Sequence, residues 1–198
     1  MNEPGDSSRN AQTCTFRLLQ GERITVRAIR PQDADSLQAY VRGLSSETRR
    51  NRFLAAVSEL TPARVEHLIH MDRPDKVALL GFARTGAESQ IVAEAMLVKA
   101  ANSRRCEIAL SVADAWQRKG VGTLLLRTLE CRARMLGAHF LFGDVLRTNT
   151  AMKCLARKAG FSIRTPFTDA RSVEVDKDLS MLQSGLPCVV GNLRSQTQ

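Results

Sequence analysis

Polar and apolar residues alternate from Arg23 to Ile29, and this period of two predicts a half-buried strand. Pro31 and Asp33 then mark a turn and a helix start, after which Leu37, Tyr40, Val41 and Leu44 recur at helical spacing. Ser45-Ser46-Glu47-Thr48 opens a second, arginine-rich helical segment that ends near Phe53. Thr61-Pro62 places a capping hydroxyl before a proline at the first helical position, which predicts a helix over about residues 62–71.

Past Pro74 the pattern changes. Residues 76–84 and 90–99 are apolar runs separated by Thr85-Gly86-Ala87-Glu88-Ser89, a β-hairpin signature, and residues 105–112 read as a third strand. Helical spacing returns from Gly120 to Leu136, with Gly137 as its C-terminal stop. A strand over 139–146, a helix over 149–159 stopped by Gly160, and a terminal hairpin of 161–163 with 172–175 complete the order. Three successive strands ahead of a helix do not suit a regular βαβ repeat. The order predicts an α/β (α+β) domain whose central sheet is mixed and mostly antiparallel, of six to seven strands, with helices on both faces. Residues 1–20 are expected as a flexible N-terminal segment, 21–180 as the domain, and 181–198 as a mobile tail.

Composition narrows the class. A chain of 198 residues, 43% hydrophobic and 25% charged, suits one folded soluble domain. No apolar run approaches the roughly 18 residues of a membrane span, and no secretory h-region opens the chain, so the cytosol is the compartment expected. The cysteines (Cys14, Cys106, Cys131, Cys154, Cys188) are odd in number and widely spread. Without Cys-x-x-Cys or Cys/His spacing they read as free thiols, and no metal is expected. A net charge of +9 and a pI near 10.0 raise the possibility of a nucleic-acid partner. An aromatic content of 5%, with no zinc-finger spacing and no RNP-like motif, opposes it. A positive surface serves a polyanionic cofactor equally well.

The segment Gln117-Arg118-Lys119-Gly120-Val121-Gly122 lies between the strand ending at Val112 and the following helix. The first turn of a helix leaves N–H groups unbonded and carries partial positive charge. An anion can collect those donors if no side chain blocks the backbone. Gly120 and Gly122 remove that obstruction, and Arg118 and Lys119 add charge, so a pyrophosphate is the natural guest. The P-loop requires Gly-Lys-Ser/Thr, but Gly122 is followed by Thr123-Leu124; the dinucleotide fingerprint requires a third glycine where Leu125 stands.

These residues carry a resemblance. Cys106-Glu107-Ile108-Ala109-Leu110-Ser111-Val112 through Trp116, continuing into Gln117–Gly122, resembles motif A of the GNAT (Gcn5-related) N-acetyltransferases, with its Gln/Arg-x-x-Gly-x-Gly/Ala signature. Asn149-Thr150-Ala151-Met152 through Lys158-Ala159-Gly160-Phe161 resembles the motif B region, and Val26 to Ala34 resembles the family's opening. The resemblance covers roughly residues 23–178 and is nearest to the GNAT domain of bacterial protein-lysine acetyltransferases.

The resemblance implies acetyl-CoA as co-substrate. Its pyrophosphate would lie on Gln117, Arg118, Lys119, Gly120, Val121, Gly122 and Thr123. Its pantetheine would run along Leu110, Ser111 and Val112, where a β-bulge would splay the strand from residues 139–146. The N–H near Leu110 would polarise the thioester carbonyl, and Asn149 would sit beside the cofactor. The acceptor would be a primary amine, a protein lysine or a small molecule. An alkylammonium, with a pKa of about 10.4, must lose a proton before it attacks. Alternation sends Glu107, Ala109 and Ser111 to the face opposite Cys106, Ile108, Leu110 and Val112. Glu107, flanked by small residues, is therefore the candidate general base, with Asp144 second. The position where many members carry a thiolate-protonating tyrosine is Ala156, and Tyr40 is the chain's one tyrosine. Cys154 reads as a core thiol. Two other readings stand beside N-acetyl transfer by direct attack in a ternary complex: a non-catalytic acyl-CoA sensor, and a basic RNA-binding module. The sequence does not fix an oligomeric state; a homodimer is the common assembly of a small enzyme.

Overall fold

The computed structural model describes residues 13–18, 21–71, 73, 75–85, 88–165 and 170–180. Eight strands form one sheet: β1 (Cys14–Arg17), β2 (Arg23–Ala28), β3 (Lys76–Thr85), β4 (Glu88–Lys99), β5 (Arg105–Val112), β6 (Phe140–Leu146), β7 (Ser162–Arg164) and β8 (Ser172–Asp178). Their spatial order is β1-β2-β3-β4-β5-β6-β8-β7. Only the β5–β6 pair is parallel; every other described pair is antiparallel. Among the described residues five helices cover the sheet: α1 (Ala34–Gly43), α2 (Ser46–Phe53), α3 (Pro62–Ile69), α4 (Val121–Met135) and α5 (Thr150–Lys158).

The faces follow from the side-chain periods. In β2 the residues Ile24, Val26 and Ala28 are buried while Arg23, Thr25 and Arg27 are not. They join a core with Leu125, Leu126, Leu129 and Ala133 of α4 and Ala156 of α5. The opposite face, through Ala78, Leu80 and Ile91, packs against Leu37, Tyr40 and Val41 of α1 and Leu68 and Ile69 of α3. Helix α2, SETRRNRF, has no apolar stripe of its own.

The structure departs from the sequence expectation at the start of the chain. Cys14–Arg17 pairs with β2 from Cys14↔Val26 to Arg17↔Arg23, so this stretch belongs to the sheet and not to a flexible segment. It makes eight strands where six to seven were expected. Cys131 is disulfide-bonded, whereas Cys14, Cys106 and Cys154 are free, so the expectation of free thiols throughout fails at Cys131. Residues 1–12, the hairpin turn at Gly86-Ala87, and the tail 181–198 lie outside the described residues. No described helix is long and apolar enough to cross a membrane.

Candidate active site

Hydrogen-bond phase determines what β5 offers. Its register against β4 runs unbroken from Ala93↔Val112 to Lys99↔Cys106. The Ala113 N–H donates to the Val92 carbonyl at 2.8 Å. In an antiparallel ladder this phase gives the backbone groups of 107, 109 and 111 to β4 and turns those of 108, 110 and 112 to the other edge. On that edge parallel pairing with β6 covers only Arg105↔Phe140, Cys106↔Leu141 and Glu107↔Phe142. Past Glu107 the strands part, and Leu110 and Val112 direct their backbone groups into a slot. No register shift against β4 accompanies the splay; a shift lies instead between Gly81 and Phe82 of β3. The expected bulge in β5 is therefore replaced by a simple end of pairing. Gly143 marks the crotch: a Cβ there would lie 2.6 Å from the Ile108 carbonyl oxygen.

The loop after β5 passes through a 3-10 turn, Asp114–Trp116, then Arg118 at φ +61° and Gly120 at φ +93°. Two left-handed residues reverse the chain into α4. The first described bond along α4 is Leu124 N–H to Gly120 carbonyl, 3.0 Å, which leaves the N–H groups of Val121, Gly122 and Thr123 without a carbonyl one turn earlier. Gly122 carries a packing role besides the one expected. A Cβ there would meet Leu155 Cδ2 at 2.9 Å, so this glycine lets α4 approach α5. Lys119 Nζ pairs with Glu22 Oε1 at 3.0 Å and lies 4.9 Å from the Trp116 ring centroid, turning its charge toward the β1–β2 connection.

A cavity of about 810 Å³ runs along slot and loop. Leu110, Ser111, Val112, Gln117, Arg118, Lys119, Gly120, Gly122, Thr123 and Asn149 line it, as do Asp144 and Lys158. Val121 does not; it is 1% exposed, on the core side of α4. Asn149 spends its Oδ1 on capping α5, accepting from Met152 N–H at 3.0 Å. Ser111 is buried and shares a 2.9 Å hydrogen bond with the Tyr40 hydroxyl; burial pushes the Tyr40 phenol above its ordinary range. Cys154 is exposed and lines the cavity, contrary to the core thiol expected. Ala156 is fully buried.

Glu107 does not line the cavity. It is exposed at the base of the fork, on the sheet face that carries Ser111 and meets α1 and α2. Arg105 pairs with Glu174 at 3.5 Å, not with Glu107.

Sequence reasoning missed the wall built by α2, where Glu47, Thr48, Asn51 and Arg52 line the cavity. Arg52 reaches beneath the fork and donates through Nε and Nη2 to both oxygens of Glu94, each at 2.7 Å, with both side chains 5% exposed. Burial opposes the Arg52 charge, but the Glu94 carboxylate outweighs it and holds the guanidinium above its usual range. Glu94 lies opposite Ser111 on β5. Only a charged pair at i, i+42 in sequence could have signalled this contact, and nothing in periodicity selects it.

An elongated anion can be held by these features: the free N–H groups of α4 can collect an anionic group, the turned-out edge of β5 offers backbone donors and acceptors, and Arg118 and Lys158 stand on the same cavity.

Comparison with known proteins bears on this site. Residues 23–162 match the model of the acetyltransferase (GNAT) domain. The chain is 27% identical over 144 residues to acetyltransferase PA5475 of Pseudomonas aeruginosa, covering 73% of this chain and 77% of that protein. It is 29% identical over 141 residues to acetyltransferase Pat of Mycolicibacterium smegmatis, covering 71% of this chain but 41% of that one. The crystal structure of the GNAT domain of S. lividans PAT superposes with a TM-score of 0.77 at 26% identity, covering 84% of this chain and 97% of that one. The chain belongs to the GNAT acetyltransferase family and is a GNAT-type acyltransferase whose co-substrate is acetyl-CoA.

Proposed function

We propose that the protein transfers an acetyl group from acetyl-CoA to a primary amine by direct attack within a ternary complex, with Glu107 as general base. The observation that carries this reading is the fork: a strand edge of unpaired backbone groups leads, within one cavity, to the free N–H groups of a helix start. Acetyl-CoA supplies the thioester carbonyl that the amine attacks. The N–H groups of Val121, Gly122 and Thr123 hold the pyrophosphate, helped by Arg118. The backbone of Leu110 and Val112 orients the pantetheine arm, and the Leu110 N–H donates to the carbonyl oxygen as negative charge develops there.

Glu107 is the last residue of β5 to pair with β6, one step before the slot opens. An exposed carboxylate there can take the proton of an incoming ammonium, directly or through water. Asp144, exposed on the cavity wall, is the alternative acceptor of that proton. The assay is free-thiol release from acetyl-CoA with a panel of lysine peptides, polyamines and other small amines. Glu107→Gln should lower kcat at neutral pH by about 10²–10⁴-fold, the usual worth of a general base. Undiminished turnover in that variant, together with loss in Asp144→Asn, would move the role to Asp144.

A further inference from the structure

Helix α2 contains one large apolar residue, Phe53, so burial alone does not hold it against the sheet. Polar contacts fix both of its ends. At its C-terminal end stands the buried Arg52–Glu94 pair. At its N-terminal end the Asp114 carboxylate, one residue beyond the end of β5's continuation, accepts three hydrogen bonds. They come from Ser45 N–H at 2.9 Å, Ser45 Oγ at 2.7 Å and Thr48 Oγ1 at 2.8 Å. The Thr48 hydroxyl in turn accepts from Gln117 Nε2 at 3.2 Å, and the same amide donates to the Val112 carbonyl at 3.1 Å. A continuous chain of hydrogen bonds therefore joins the slot edge at Val112, the loop at Gln117, and the first turn of α2 at Thr48 and Ser45.

Each link is positioned for transmission. Thr48 is 9% exposed, so water competes poorly for its hydroxyl. Burial raises the Asp114 carboxyl, but the Ser45 N–H and the Ser45 and Thr48 hydroxyls outweigh it and hold the group below its ordinary range. The links to it are thus charge-assisted and strong. Gln117 precedes the left-handed Arg118 and Gly120, where the backbone must be held in shape for its N–H groups to converge.

We propose that Thr48 and Asp114 are positioning residues that couple the α2 wall of the cavity to the cofactor loop. An anion held on the loop fixes Gln117, Gln117 fixes Thr48, and the α2 wall is held more tightly when acetyl-CoA is bound. The inference rests on the reading that residues 117–123 hold the pyrophosphate.

Hydrogen–deuterium exchange on the full chain, with and without saturating CoA, tests it. CoA should slow exchange at 118–124 and also at 46–53, the latter by at least about 5-fold, the lower end of ordinary site-to-site coupling. Thr48→Val keeps the shape and removes the hydroxyl. It should retain CoA protection of the loop while the gain in α2 falls below about 2-fold. Asp114→Asn should act in the same direction, and Thr48→Ser should restore the gain. Gln117→Met keeps the loop backbone and cuts the bridge from the loop side; at CoA concentrations that saturate it, this variant should lose the gain in α2, which keeps the test open should Thr48→Val unfold the helix. An α2 that CoA leaves unchanged in the wild type, or that gains full protection in Thr48→Val and Gln117→Met, would overturn the coupling. Absence of protection at 118–124 would overturn the cofactor-loop reading and this inference with it, a result distinct from a loss confined to α2.

Discussion

Removal of one half of the Arg52–Glu94 pair is the sharpest perturbation the structure offers. Both side chains are 5% exposed and joined by two 2.7 Å bonds. Arg52→Met fills much of the volume but leaves a carboxylate stranded beneath the fork. Breaking a buried pair in this way costs about 3–5 kcal/mol, because the remaining charge keeps its desolvation penalty and loses its partner. For a chain of this size, at roughly 2–4 °C per kcal/mol, the melting temperature should fall by about 6–20 °C. Arg52→Met/Glu94→Leu removes both charges. A buried pair replaced by apolar groups is often neutral or stabilising, so the double variant should recover most of the loss. Urea denaturation of the wild type, both single variants and the double variant closes the cycle. A single-variant loss below about 1 kcal/mol would refute the burial argument. A double variant as unstable as the sum of the singles would refute the pairing argument.

Gly143→Ala places a Cβ 2.6 Å from the Ile108 backbone oxygen; backbone cannot swing aside, so about 1–3 kcal/mol of stability should be lost and the affinity for CoA, read by calorimetry, should fall as the fork is pried open. Gly120→Ala meets no atom within 4 Å but keeps a φ of +93°, so it should cost roughly 1–2 kcal/mol through backbone alone, with weakened CoA binding as the second readout. Gly122→Ala meets only the far end of Leu155 and should cost less than Gly120→Ala; the reverse ranking in denaturant would contradict the distinct roles given to the two glycines. Asp33 is bound by two 2.7 Å bonds from Arg27 and by the Arg30 N–H at 2.8 Å. Burial raises its carboxyl, but these donors outweigh that and hold it below its ordinary range. Its contribution is therefore complete above the unfolded value of about 3.9 and is lost as pH falls through the folded one. Asp33→Asn should be less stable at neutral pH and should show a shallower acid limb in a melting-temperature profile taken down from pH 5.

What the sequence disclosed follows from which signals are local. Period-two alternation in β2 and period 3.6 in α4 are local, and both elements stand where the pattern put them. The left-handed Gly120 and the cap at Gly137 are local too, so the loop was readable before any contact was known. Strand β1 was missed although Cys14, Phe16 and Leu18 alternate, because a four-residue strand beside a polar terminus is too short for its period to stand out. Gly122 was read by its chemistry alone; its packing against Leu155 escaped that reading, because a side chain 33 positions away leaves no trace in a loop motif. The α2 wall was illegible for the same reason. Its run of arginines carries no periodic signal, and only the fold reveals that Arg52 is buried against β4 and that Arg49 caps the carbonyls of Arg42, Leu44 and Val57.

That last point bears on the net charge of +9. Charge suggests a polyanionic partner only to the extent that it is presented to one. Here Arg27 is bound to Asp33, Arg52 to Glu94, Lys119 to Glu22 and Lys177 to Glu130. Arg49 is spent on backbone carbonyls and Lys99 on the Leu136 carbonyl. These cations hold helices and turns to the sheet; each ion pair is neutral in itself, so the excess of +9 rests on the other cations, and where those stand decides what it attracts. Arg118 and Lys158 differ in that they line the cavity, Arg118 from the loop that enters α4 and Lys158 from the end of α5. Cations gathered on one cavity suit the compact polyanion proposed for it, whereas recognition of a nucleic-acid backbone needs charge spread along a face.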